Sequence, residues 1–245
     1  MTTLPAYDDE GGGPAVVLLH AGVADRRMWD TQAAVLRSSR RVVRPDLRGF
    51  GETPMPPGEF SFADDVVALL DALEIQQAAL VAASMGGPVA LEIAATWPER
   101  VSSLVLLCSD FRGLEPPEDV TSFGDEEDEL LEGGDIDGAV ELNVRTWLGP
   151  EASAGAAELV RQMQRHAFEV QLAADEQDPP PQPVRRDVTP SAIAAPTLVV
   201  SGAHDLAHFQ RIAHHLAASI PRANHRHLDW AGHLPSLERP DETAA

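Results

Sequence analysis

The 245-residue chain carries 39 acidic residues against 18 arginines and no lysine, a formal net charge of −21. A field this negative repels phosphate backbones and excludes a general nucleic-acid binder, and the missing lysine excludes a Walker-type phosphate loop, a Schiff base and a pyridoxal-phosphate site. A hydrophobic content of 44% can fill a real core and excludes global disorder, and the length suits one large α/β domain or two small ones, the first being common at this size.

Leu4–Tyr7 is a weak first strand. Ala15–His20 is a strong one: apolar, β-branched and nearly continuous in hydrophobicity, as a parallel strand buried on both faces is. A helix over Met28–Leu36 follows Asp25 as N-cap. Strand Arg41–Pro45 leads into a glycine-bearing turn, Asp46 to Thr53, and then into a helix over Phe62–Leu73 capped by Ser61 with Asp64 three residues on. Strand Ala78–Ala83, a helix over Met85–Thr96 ending before Pro98, and strand Ser103–Cys108 continue the alternation. Strand Thr197–Ser201, a helix over Phe209–Ala218 and a more polar edge strand, His225–Leu228, complete it. Strands and helices alternating at this spacing require crossovers and a mostly parallel sheet.

Between Phe111 and Pro190 the alternation stops, and no convincing strand is visible. Pro116-Pro117, Gly133-Gly134 and the proline run 179–183 punctuate two helical patterns, Ile136–Leu148 and Ala152–Ala174. The acidic stretch Asp125–Glu129 reads as a solvated face or a helix start. Residues 111–190 therefore read as a helical cap inserted into a core formed by 1–110 and 191–245. Cys108 is the one cysteine, so no disulfide framework or cysteine metal cluster is possible. Met1–Gly13 lacks the pattern of a signal peptide and no apolar run reaches membrane-spanning length, so a soluble cytoplasmic protein is expected.

The chemistry concentrates at Leu80 to Gly87, where a buried strand ends, Ser84 follows at once and a helix begins. A serine on so tight a turn needs small neighbours, here Ala82, Gly86 and Gly87. The turn presents the hydroxyl to the cleft and sets the Met85 N–H at the helix start, where it can stabilise an oxyanion. Ala82 replaces the first glycine of the G-x-S-x-G pattern, which predicts a backbone cost there. The alternative role of Ser84 is a plain helix N-cap. Asp205 follows strand Thr197–Ser201 and His233 follows strand His225–Leu228, so Ser84, Asp205 and His233 each stand just past a strand, in that order. Asp110, just past Ser103–Cys108, is the competing acid. Gly22, after the first strong strand, lets the backbone approach a reacting carbonyl and offers the second oxyanion N–H. His20 reads as structural, as does the Asp46–Thr53 turn. No histidine has an acid partner in a metal-ligand spacing, so no metal is expected.

With these residues in view, the chain resembles the α/β-hydrolase superfamily through His20-Ala21-Gly22, Asp46 to Gly51, Ser84-Met85-Gly86-Gly87, Gly202 to Asp205 and Gly232-His233. The run Leu19 to Trp29 and Trp147-Leu148-Gly149-Pro150 are similar to the serine-nucleophile branch of 3-oxoadipate enol-lactonases, cofactor-free haloperoxidases and small esterases. The resemblance implies an α/β fold with a mostly parallel sheet, helices on both faces and a helical cap after the sixth family strand. It implies catalysis by Ser84, His233 and Asp205 with Gly22 and Met85 as oxyanion donors, and no cofactor. Ser84 argues against the haloalkane dehalogenases and epoxide hydrolases, which use an aspartate there. A single weak strand before Ala15 and a short stretch after His233 predict a fold trimmed at both ends.

The expected reaction is hydrolysis of a small ester, lactone or thioester through an acyl-enzyme. A non-hydrolytic enzyme on the same scaffold (a lyase, cofactor-free oxygenase or cyclase) and a non-catalytic binding protein are the alternatives. Pocket candidates are Trp29, Phe111, Arg145, Trp147 and His166, each with a packing role as the plainer reading. Residues 111–190 hold 19 acids against 6 arginines, a net of −13, while the remaining 165 residues net −8. A negative cap slows anionic substrates, so the expected partner is a neutral or cationic small molecule. A homodimer is left open.

Overall fold

The computed structural model describes residues 4–244. Its first strand is β1 (Tyr7–Gly11), displaced from the predicted Leu4–Tyr7. The displacement has an electrostatic reason. Tyr7-Asp8-Asp9-Glu10-Gly11 alternates half-buried and exposed positions and pairs antiparallel with β3 (Arg41–Pro45), where Arg41 bonds Asp9 and Arg44 bonds Asp8 and Glu10. Charge hides the strand from a hydrophobicity reading and holds it in register.

β2 (Ala15–Leu19), β5 (Ala78–Ala83), β6 (Val101–Leu107), β8 (Thr197–Gly202) and β9 (Ala223–Leu228) join β1 and β3 in a seven-stranded sheet of order β1-β3-β2-β5-β6-β8-β9. Every pairing but the first is parallel, and helices cover both faces. The polar β9 takes the edge. The interior strands are almost wholly buried, Val17, Leu18 and Leu19 completely so. This is why their sequences read as unbroken apolar runs rather than alternating ones.

A single 3-10 turn, Arg26–Trp29, precedes α1 (Asp30–Leu36). Asp25 caps that turn by accepting the Arg27 N–H. Helix α2 (Phe62–Ala72) starts on Ser61, whose hydroxyl accepts the Asp64 N–H. Helix α3 (Gly86–Thr96) leads from the end of β5, and α7 (Ala207–Ser219) joins β8 to β9. Two short helices, α8 (Pro235–Glu238) and α9 (Pro240–Ala244), follow His233, with α9 against α1. They occupy the place where the sequence suggested a trimmed end.

Between β6 and β8 the chain forms α4 (Glu118–Glu132), α5 (Ile136–Trp147) and α6 (Ala154–Asp175). Helix α4 has no fully buried residue; its half-buried stripe of Val120, Phe123, Leu130 and Leu131 is broken by Glu127 and flanked by acids, and the charge masks it. The proline run forms a three-residue strand, β7 (Pro181–Pro183), parallel to β4 (Gly58–Phe60); this corrects the expectation of a strand-free segment. Val144, Trp147, Val160, Met163 and Ala167 of α5 and α6 belong to the main core, and Ala139, Val140 and Phe168 form a small one of their own. Among the described residues no helix is long and apolar enough to cross a membrane.

Candidate active site

Strand β5 ends at Ala83 and α3 begins at Gly86. Ser84, in the turn between them, has φ 46°, a left-handed backbone that non-glycine residues rarely adopt. Its N–H donates to Leu107 O at 3.0 Å, and its own carbonyl accepts from Gly87 at 2.8 Å and Asp110 at 3.2 Å. The end of β6, the residues just past it and the first turn of α3 thus hold the turn. The glycines after it are required by space: a Cβ on Gly86 would stand 2.8 Å from Leu19 O, and one on Gly87 would run into the Ser109 side chain. Ala82 carries no such demand. It lies inside β5 opposite Leu19 and Leu106, in extended backbone that alanine adopts freely, so the cost predicted from the missing first glycine does not arise.

The Ser84 hydroxyl is 2.7 Å from His233 Nε2, and His233 Nδ1 lies 2.9 Å from both carboxylate oxygens of Asp205. The ring and the acid are buried, at 3% and 1% side-chain exposure. With Nδ1 turned to the Asp205 carboxylate, which can only accept, Nε2 is the ring nitrogen that faces the Ser84 hydroxyl. Asp205 Oδ1 also accepts the Leu206 N–H at 2.7 Å, anchoring the acid at the start of α7. Asp110, the competing acid, lines the cavity but turns Oδ1 to the Phe111 N–H at 2.7 Å.

Gly22 faces Met85: a Cβ on Gly22 would lie 3.5 Å from Met85 Cβ. Neither the Gly22 nor the Met85 N–H enters a hydrogen bond among the described residues, so both are available to a ligand. Behind them His20 is buried. It accepts the Leu47 N–H on Nε2 at 2.9 Å and so donates from Nδ1 to Ala21 O at 2.8 Å. Burial pushes its imidazole below the usual range. His20 ties the Gly22 loop to the Asp46–Thr53 turn. Within that turn Asp46 receives the backbone N–H of Arg26 and Glu52.

A cavity of about 320 Å³ opens in front of Ser84, with Met85, Phe50, Trp147, Phe209 and His233 in its wall. Of the five pocket candidates, Trp147 is the one that lines it. Its ring lies 4.7 Å from the His233 ring and its Nε1 donates to Asn143 Oδ1 at 2.8 Å. The other four are corrected. Trp29 is fully buried and lines a different cavity with Leu18, Val81 and Trp230. Phe111 stacks on His215 with ring centres 5.4 Å apart and lines another cavity beside Arg185. Arg145 is exposed and bonds Glu126. His166 Nε2 bonds Gly51 O at 2.8 Å beside a separate depression with Arg26 and Arg27. For these four the packing role, the plainer reading of the sequence, is the one the structure shows, since sequence carries no side-chain direction.

Sequence reasoning missed Glu238. It is buried, and its carboxylate accepts the N–H of Gly232 at 2.7 Å and of Leu234 at 3.1 Å, one on each side of His233. The His233 N–H donates to Trp147 O at 3.2 Å. Gly149 and Gly232 pack backbone to backbone, so that a Cβ on Gly149 would stand 2.5 Å from Gly232 N. The Trp147-Leu148-Gly149 segment is thus the floor under the histidine loop. The sequence marked this segment by its similarity to the serine-nucleophile branch, and nothing in it announced the contact with the histidine loop.

Cys108 lies behind the pair, and its Sγ, an Asp205 oxygen and a His233 nitrogen fall within 4.8 Å of one another. Burial, and next the Asp205 charge, push the thiol well above its ordinary value. It is therefore a thiol, a poor metal ligand, and Asp205 and His233 are already committed to each other.

The sequence model of a family described as alpha/beta hydrolase fold matches residues 14–240. The chain belongs to the alpha/beta hydrolase family. Over 108 residues this hydrolase-fold chain is 41% identical to a 2-hydroxymuconate semialdehyde hydrolase of Pseudomonas sp. strain CF600, a match covering 41% of this chain and 38% of that relative's length. Two solved structures are similar along nearly the whole chain. A thermophilic esterase from Thermogutta terrifontis is 28% identical with a TM-score of 0.79, covering 98% of this chain and 89% of its own. The enol-lactonase from Burkholderia xenovorans LB400 is 26% identical with a TM-score of 0.77, covering 98% and 93%.

Proposed function

We propose that the protein is a serine hydrolase that cleaves a small ester, lactone or thioester through an acyl-enzyme. The observation that carries this reading is the continuous hydrogen-bond chain from the Ser84 hydroxyl through His233 to Asp205, on a turn whose backbone is held in a costly conformation. A serine needed only to cap a helix has no use for a buried histidine on its hydroxyl. The named activities of the esterase and enol-lactonase neighbours are of the same chemical class.

In this mechanism His233 Nε2 takes the Ser84 proton as Oγ bonds to the carbonyl carbon. The oxyanion rests on the Gly22 and Met85 N–H groups. The carbon–heteroatom bond then breaks and His233 passes the proton to the leaving oxygen or sulfur. Water repeats the sequence on the acyl-enzyme, returning the serine. Asp205 stabilises the imidazolium that appears in both halves. Replacing Ser84 with Ala should lower kcat for an activated ester by roughly 10⁴-fold or more with the fold retained. Near-normal turnover by that variant would contradict the reading.

A further inference from the structure

The cavity wall opposite the elbow comes from α4, α5 and α6, and its polar groups are unevenly used. Asn143 is fully occupied: Nδ2 donates to Ala139 O and Glu127 Oε1, and Oδ1 accepts from Trp147. Gln171 donates to Gly49 O at 3.1 Å. Gln164 is only 4% exposed and lines the cavity, yet its Oε1 has no partner. A buried amide oxygen left in this state is costly. A half-turn exchanges its oxygen and nitrogen, so either can be offered to a ligand.

Glu127 also lines the cavity. It sits in the acidic stretch Asp125–Glu129, which the sequence assigns to solvent. Asp125, Glu126, Asp128 and Glu129 are indeed exposed, but Glu127 is half-buried. Burial pushes its carboxyl up, the Asn143 bond opposes that push and the Asp128 charge adds to it. The arginines of the same helices are engaged elsewhere: Arg145 with Glu126, Arg161 with Glu141 and Glu158, and Arg165 with Asp137. Asp110 is a second acid in the cavity, and no arginine lines it. The wall therefore presents negative charge and an unpaired amide to whatever occupies the space before Ser84.

We propose that Glu127 and Gln164 form a cation-recognition subsite, so that the substrate carries an ammonium or guanidinium group that Glu127 receives as an ion pair and Gln164 as a hydrogen bond. Asp110 adds to the same field. The subsite deepens the serine-hydrolase reading, and rests on it for which bond breaks though not for what the wall binds. A carboxylate-bearing substrate would meet two acids and no cation.

The test is a set of p-nitrophenyl esters with acyl chains of equal length ending in ammonium, methyl or carboxylate. The ammonium ester is expected to show kcat/KM about tenfold above the methyl ester, with the carboxylate lowest. Glu127→Gln keeps the volume and an oxygen for Asn143, and should bring the ammonium-to-methyl ratio close to one. Butylammonium and butyrate, titrated into the wild type and the variant by ligand-observed NMR, give a readout that needs no turnover. Butylammonium is expected to bind the wild type in preference to butyrate and to lose that preference in Glu127→Gln. An ammonium preference that survives Glu127→Gln, a preference for the carboxylate, or no binding of butylammonium would overturn the subsite. If no ester is turned over while butylammonium behaves as expected, the hydrolase reading falls and the subsite stands.

Discussion

Glu238 holds His233 without touching its ring: one carboxylate accepts the backbone N–H of the residue before the histidine and of the residue after it. The imidazole meets the Ser84 hydroxyl at 2.7 Å because this loop has one shape. Glu238→Gln leaves one acceptor and turns an amide donor against the other N–H. The expected cost is about 1–3 kcal/mol of stability and a fall in kcat of up to about 10²-fold through misplacement of the ring, with KM for a given ester little changed. Melting temperature and the split between kcat and KM check this. A loss of stability with kcat intact would make Glu238 a purely structural residue.

Asp205 and Asp110 both stand past strand ends at the cavity, and only Asp205 bonds His233. Asp205→Asn would reverse the hydrogen bond to Nδ1 and favour the wrong tautomer, a loss on the order of 10⁴-fold in kcat. Asp110→Asn is expected to cost far less. Steady-state rates on one neutral ester decide it, and the larger loss in Asp110→Asn would reverse the assignment.

The elbow allows two opposite predictions for small residues. Gly87→Ala drives a Cβ into Ser109 and should cost about 1–3 kcal/mol by overpacking, with activity lost; adding Ser109→Gly should recover part of both. Ala82→Gly, which restores the commoner motif, should instead lower stability by about 0.5–1 kcal/mol, since glycine in a strand interior loses more entropy. Chemical denaturation of the three variants checks the pair of expectations. A stabilised Ala82→Gly would show that Ala82 does carry strain.

Alkaline stability should report on Cys108. Its thiol is raised well above the ordinary 9.0 in the fold. Above that pH the unfolded chain releases the proton while the folded one keeps it, so the unfolded state binds fewer protons and stability falls as pH rises. With no lysine and a single tyrosine in the chain, few other groups titrate in this range. Denaturation midpoints from pH 8 to 10.5 should drop more for the wild type than for Cys108→Ala. Parallel slopes would contradict the burial of the thiol.

The strands and the Ser84–His233–Asp205 hydrogen-bond chain were legible because each carries a local signal. Buried parallel strands are unbroken apolar runs; Ser84 stands where β5 stops, Asp205 just past β8, and His233 just past the polar edge strand β9. β1 and α4 were hidden for the opposite reason: Asp8, Asp9 and Glu10 are stabilised by arginines on another strand, and the half-buried stripe of α4 lies within an acidic run. Glu238 and Glu127 are invisible for a third reason. A carboxylate that accepts two backbone N–H groups, or that turns inward from an acidic run, has the same letter as one in water. Trp29 and Trp147 make the point for aromatics, since one packs away from the cavity and the other lies on His233.

In the proposed mechanism His233 activates Ser84. The direct measurement is reaction with a fluorophosphonate probe followed by mass-spectrometric location of the adduct, in the wild type and in His233→Ala. A single adduct on the peptide carrying Ser84 is expected in the wild type, and a rate slowed by orders of magnitude in the variant. No adduct at Ser84, or equal labelling with His233 removed, would contradict it.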